Sequence, residues 1–160
     1  MNRIFLTITF FFLYLQIKGQ EKNQLNEMIN SSINSYVSWK NDLVKRKILQ
    51  SDTTLHYISK NGLPTGFSYD NTNNIIFLNL DNLCTATNSF LKELRNGIPV
   101  YFLGLKLTDN RFILTVSSHN VKLTKKRNLE ISLSDWSIFT YEYSCEEKNW
   151  KITEVTHEGI

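Results

Sequence analysis

The chain predicts a single α+β domain, and three observations carry that reading. A helical hydrophobic period runs through residues 21–49, a second short helical stretch closes on Asn96-Gly97, and nearly everything from Pro99 onward is strand-like. Helices first and strands after them give an order of N-terminal helix (whole or split), two strands, short helix, then an antiparallel sheet of four to five strands.

Ahead of the first helix stands a different kind of segment. Met1-Asn2-Arg3 is a short positive start, Ile4–Leu15 is an apolar run, and polarity returns at Gln16, Lys18 and Gln20. That is the layout of a secretory signal peptide. The run is shorter than the roughly 20 apolar residues of a membrane span. Cleavage is expected after Gly19, within a few residues because Ile17 stands where a small residue is usual. Residues 1–19 are then the signal peptide and residues 20–160 one domain; the alternative is an uncleaved N-terminal anchor. No Cys follows the run to accept a lipid.

In the first helix Leu25, Met28, Ile29, Ile33, Tyr36, Val37, Leu43, Val44 and Ile48 recur at three- and four-residue intervals. No Pro or Gly interrupts them, but Ser31, Ser32, Asn34 and Ser35 are weak helix formers, so one long helix and two shorter ones both fit. Leu55–Ile58 reads as a short strand. Asn61-Gly62-Leu63-Pro64-Thr65-Gly66-Phe67 is the clearest turn cluster, and its spacing is not that of a phosphate-binding loop. Ile75–Leu80 is a buried strand. Thr87–Asn96 places Phe90, Leu91 and Leu94 on one helical face, with Gly97 as the stop.

The strand block follows. Pro99–Leu107 and Arg111–Val116 form a hairpin through Thr108-Asp109-Asn110, and Ser117–Asn120, with His119, reads as a connection. Leu129, Ile131 and Leu133 alternate with polar residues as one strand. Trp136–Tyr143 and Trp150–Val155 pair as the last two, each opening on a tryptophan expected to be buried.

Composition narrows the function classes. Hydrophobic residues at 41% and aromatics at 12% place the chain among globular proteins. Removing residues 1–19 takes Arg3 and Lys18 away, leaving sixteen basic residues against fifteen acidic ones. Lys45-Arg46-Lys47 sits where a helix ends, and Lys125-Lys126-Arg127 reads as a hairpin tip. Interspersed charge of this kind argues against a nucleic-acid partner. A single Ala, Ala86, beside abundant Asn, Ile, Lys, Phe and Tyr points to an AT-rich, bacterial source. Cys84 and Cys145 either pair as a disulfide in an oxidising compartment or stay as two thiols.

Few residues suggest chemistry. His56, His119 and His157 lie far apart, and neither a metal-ligand spacing nor a Gly-x-Ser-x-Gly nucleophile motif is present. Glu142, between Tyr141 and Tyr143, is the carboxylate whose surroundings would raise its pKa if it faced a cavity; facing water, it is a surface charge. Asp135, seven residues away, belongs to the opposite face of a strand. Tyr101, Phe139 and Tyr141 line either a cavity or the core. The candidate pocket residues are Glu142, Tyr141, Tyr101 and His56, with no catalytic set, metal or cofactor.

The element order resembles the NTF2-like and cystatin-like α+β superfamily, in which a curved antiparallel sheet wraps helices around a cavity. The closing stretch from Trp136, with Tyr-Glu-Tyr-Ser-Cys and Asn-Trp-Lys-Ile, resembles the ends of small exported bacterial proteins of unassigned function. The resemblance implies a secreted or periplasmic module of the cell envelope that binds a small ligand or an envelope protein without catalysis. It would have no stable membrane span once the signal is removed. The alternatives are a small cavity-type enzyme with Glu142 or His56 as base, and an accessory protein docking through an exposed apolar patch.

Overall fold

The computed structural model describes residues 2–49, 55–69, 74–83, 87–126 and 128–159, with side chains from Gln24 onward. The first element, α1, is one helix, Asn2–Lys45, running through the expected cleavage point at Gly19. Its Ser-rich middle stays helical because Ser31, Asn34 and Ser35 face solvent, while Ile29, Ile33, Tyr36 and Val37 are buried at helical spacing. Among the described residues no helix is long and apolar enough to cross a membrane.

Two four-residue strands follow, β1 (His56–Ser59) and β2 (Ile75–Leu78), then α2 (Asn88–Asn96). Thr87 caps α2 by accepting from the Phe90 N–H, satisfying a first-turn donor that has no partner in the helix. Gly97 ends it at φ +87°, where the left-handed backbone and Asn120, 3.0 Å from a would-be Cβ, both favour glycine. Four long strands complete the fold: β3 (Ile98–Thr108), β4 (Arg111–Leu123), β5 (Leu129–Ser144) and β6 (Asn149–Glu158). The β3–β4 hairpin turns on Asp109 and Asn110, both at positive φ, as a two-residue turn with matching twist requires.

All six strands form one sheet in the order β2-β1-β3-β4-β5-β6. The C-terminal four are antiparallel, as the sequence predicts, but β1 pairs in parallel with both β2 and β3, so the whole sheet is mixed. Two further expectations are corrected. Ser117–Asn120 is not a connection, because β4 continues to Leu123. The runs around Leu129–Leu133 and Trp136–Tyr143 are one strand, β5, bent by a bulge.

That bulge explains why the pattern reads as two strands. Ser118 pairs with Asp135 and His119 with Leu133, which leaves Ser134 as the extra residue. One inserted residue switches the face on which odd-numbered side chains emerge. Asp135, Ser137, Phe139 and Tyr141 therefore share a face with Leu114 and Val116, whereas Leu129, Ile131 and Leu133 lie opposite, beside Val121 and Leu123.

Each face carries its own core. Under α1, Met28, Ile29, Ile33, Tyr36 and Val37 pack on Ile58, Tyr101, Leu103, Leu114, Val116, Phe139 and Tyr141. Under α2, Leu94 packs with Tyr57, Leu78, Ile98, Val100, Val121 and Leu123. Trp136 and Trp150 are half-buried rather than buried, and Trp150 lies at the margin of the α1 layer against Phe112 and Tyr143.

Candidate functional site

A polar row crosses the sheet beneath α1. Tyr101, Ser118 and Asp135 are successive register partners on β3, β4 and β5, so their side chains stand side by side on the helix face. Two residues one turn apart on α1, Tyr36 and Lys40, reach down onto this row. The Tyr36 hydroxyl donates to Asp135 Oδ1. Lys40 Nζ donates to Oδ2 at 2.8 Å, and Ser134 Oγ donates to the same oxygen at 2.8 Å. Asp135 is only 1% exposed, so its charge depends on these three donors.

The row extends towards β1. Tyr101 meets the Tyr36 ring edge-on at 5.0 Å, and its hydroxyl shares a 3.0 Å hydrogen bond with His56 Nδ1. Burial, reinforced by the hydrogen bond and charge of Asp135, pushes the Tyr36 pKa up and keeps the phenol protonated. Burial and then the Asp135 charge do the same to Tyr101. Burial, and secondarily the nearby Lys40 cation, pushes His56 below its ordinary value. The row holds one carboxylate, one ammonium, two neutral phenols and a neutral imidazole, in mutual contact beneath the helix.

The expected pocket residues divide accordingly. Tyr101 and His56 do come together, inside packed core. Tyr141 is buried too, where its hydroxyl donates to the Met28 carbonyl at 3.0 Å and meets Ser32 Oγ at 2.7 Å. Glu142 does not face a cavity: it projects from the opposite side of β5 and pairs with Arg111 at 2.8 Å, 45% exposed. Strand alternation places it there, because Tyr141 occupies the inward position. Cys145 is a free, exposed thiol, and Cys84 lies outside the described residues. At the far end of the sheet His157 stacks on Trp39 at 4.4 Å, with Ser137 Oγ 2.6 Å from Nδ1.

A second feature escapes the sequence reading. The parallel β1–β2 pair obliges the chain to cross back between its strands, and the returning segment walls a cleft of about 520 Å³. Its lining is Leu63, Pro64, Phe67, Tyr69, Ile75 and Phe77, with Gly66 and exposed Lys60. Phe67 and Tyr69 both stand edge-on to Phe77, at 6.0 and 5.6 Å. Two bonds tether this wall to α1: Asn30 Nδ2 to the Ser68 carbonyl at 3.3 Å, and the Tyr69 hydroxyl to Asn34 Oδ1 at 2.5 Å. Gly62 lets the wall approach β3, since a Cβ there would lie 2.4 Å from the Leu103 carbonyl oxygen. The signal in the sequence was the Asn61–Phe67 turn cluster, which marks a loop but not the rings it presents. Among the described residues, no three His, Cys, Asp or Glu side chains gather as a metal site.

Comparison with protein-family models, with curated proteins and with solved structures finds no match.

Two predictions follow from the polar row. Lys40→Met leaves Asp135 buried without its counter-charge and should cost about 3–5 kcal/mol in urea denaturation at neutral pH. Adding Asp135→Asn removes the orphaned charge, so the double variant should fall short of the summed single losses by about 1–3 kcal/mol. Strict additivity would show that the two side chains do not interact.

The second concerns pH. With the folded His56 pKa held down, the unfolded chain takes up the proton first as the pH falls. The stability owed to neutral His56 is complete above the ordinary histidine value of about 6.5 and is lost as the pH drops towards the folded value. His56→Gln removes this titration, so between about pH 7 and pH 5 the wild type should lose more stability than the variant. Parallel curves would exclude His56 as a source of the acid sensitivity.

Proposed function

We propose that the chain is an exported, non-catalytic binding module of the bacterial cell envelope, and that the aromatic cleft between the 60–69 loop and β2 is its ligand site. The observation that carries this reading is the contrast between the buried polar row and the cleft. The titratable groups beneath α1 face one another in packed core, where Asp135 already has three donors. The cleft is of ligand size and lined by aromatic and aliphatic side chains, with one cation at Lys60. An apolar cavity with a few polar anchors is what small-molecule recognition needs.

A cavity-type enzyme would place its base beside open space. Glu142 lies on the other side of the sheet in an ion pair, and His56 is 8% exposed and bonded to Tyr101. Both facts favour the binding reading over that alternative.

Export is supported by the basic start, the apolar run at Ile4–Leu15 and Gly19. Cleavage after Gly19 would remove none of the described core residues, the first of which on α1 is Leu25. The intact mass of protein recovered from the medium or periplasm should correspond to a chain beginning at Gln20 or within a few residues of it. A retained mass of all 160 residues would refute cleavage.

The cleft is tested with anilinonaphthalene sulfonate, a fused aromatic carrying one anion. It should bind the native protein at one site, with fluorescence enhancement. Phe67→Ala and Lys60→Glu should each weaken binding by about tenfold or more, a loss of about 1.4 kcal/mol, with circular dichroism unchanged. Unaltered dye affinity in both variants would exclude the cleft.

A further inference from the structure

Strand β5 is longer than the neighbour that covers it. β6 pairs with Trp136–Ser144 only, so the first part of β5 is bonded to β4 on one side and has no strand on the other among the described residues. Gly159 passes the Ser134 carbonyl, and the open edge therefore spans Leu129–Leu133. Along an open edge, alternate residues present an N–H and a C=O outward, a template for another strand. Ile131 and Leu133 on this edge are 51% and 54% exposed.

The sheet's other edges are blunted in the usual ways. β2 is four residues long. β6 carries Lys151, Glu154 and Glu158. Beyond β1, β3 is approached by Gly62 at the Leu103 carbonyl and carries Lys106 between exposed Leu105 and Leu107. Leu129–Leu133 has a single charge, Glu130, and no Pro.

We infer that this edge is a self-association surface and that its partner is a second copy of the chain, paired antiparallel about a two-fold axis at Ile131. The sequence Leu129-Glu130-Ile131-Ser132-Leu133 is its own complement in that register. Ile131 meets Ile131 of the second copy, Leu129 meets Leu133, and Glu130 meets Ser132, with no like charges opposed. The apolar trio of each copy falls on one face by strand alternation, the α2 side, opposite the Asp135–Tyr141 set beyond the bulge at Ser134. The partner strand continues the sheet and forms a closed isologous pair rather than a fibre. The contact is a short edge, at the small end of interface sizes, so the dimer is a concentration-dependent one.

The test is sedimentation velocity on protein produced from the full-length gene, at about 200 µM and on dilution, because a small interface gives weak association. The wild type should sediment as a dimer that dissociates on dilution. Ile131→Lys and Ile131→Glu should each be monomeric, since each opposes like charges across the axis, and an equimolar mixture should regain the dimer. Circular dichroism establishes that the variants fold; Ile131→Arg, which opposes like charges at the same position and should also be monomeric, replaces Ile131→Lys if that variant does not. A wild type that stays monomeric, variants that remain dimeric, or a mixture that stays monomeric would each overturn the assignment.

Discussion

The buried carboxylate of Asp135 fixes how the helix lies on the sheet. A carboxylate 1% exposed keeps its charge only if donors replace the water it has lost, and two of its three donors, Tyr36 and Lys40, belong to α1. Sliding the helix by one turn would withdraw both at once and leave the carboxylate with Ser134 alone. Apolar packing between Ile29, Ile33, Val37 and the sheet is comparatively tolerant of such a slip, because branched aliphatics fit many holes. The ion pair therefore supplies register where hydrophobic burial supplies adhesion, the role for buried charges best attested elsewhere.

Asp135 reaches that position through an irregularity. Without the extra residue at Ser134, β5 could not present Asp135, Ser137, Phe139 and Tyr141 to α1 while giving Leu129 to the α2 layer. The bulge lets one strand serve two cores on opposite faces, and both layers depend on it. β5 is also longer than β6 and overshoots it, so an edge is left whose side chains the bulge has assigned to the α2 face.

Much of this was legible in the sequence and some was not, for identifiable reasons. The helical period located the buried face of α1, since Met28, Ile29, Ile33, Tyr36, Val37 and Leu43 are all buried, but not its bounds: the helix is Asn2–Lys45, and Ile48, at the fading end of the pattern, is 54% exposed. Asn96-Gly97 and Asp109-Asn110 marked real boundaries because their chemistry is local, a matter of positive φ. The bulge was not legible, because nothing in Leu-Ser-Asp-Trp distinguishes an inserted residue from the gap between two strands. The choice between carboxylates failed for the same reason. Alternation correctly set Asp135 and Glu142 on opposite faces, but which face lies under the helix depends on long-range pairing. Tyr101 and His56 do meet, but whether residues on that face border space or core depends on where α1 comes to rest.

That resting place also decides where a ligand can go. The sheet face on which a cavity was expected is covered by Ile33, Tyr36 and Val37. Space remains where the helix no longer covers the sheet and the chain must cross back between two parallel strands. Segment 60–69 makes that crossing, held to α1 at Asn30 and Asn34 and let in close to β3 by Gly62. Phe67 and Tyr69 consequently stand against Phe77 on a frame braced by the same helix that Asp135 holds in register. A shift of α1 along the sheet would move Asn30 and Asn34 with Tyr36 and Lys40, opening the wall as it broke the ion pair. The cleft wall and the buried row thus both hold to α1, although their side chains perform different tasks.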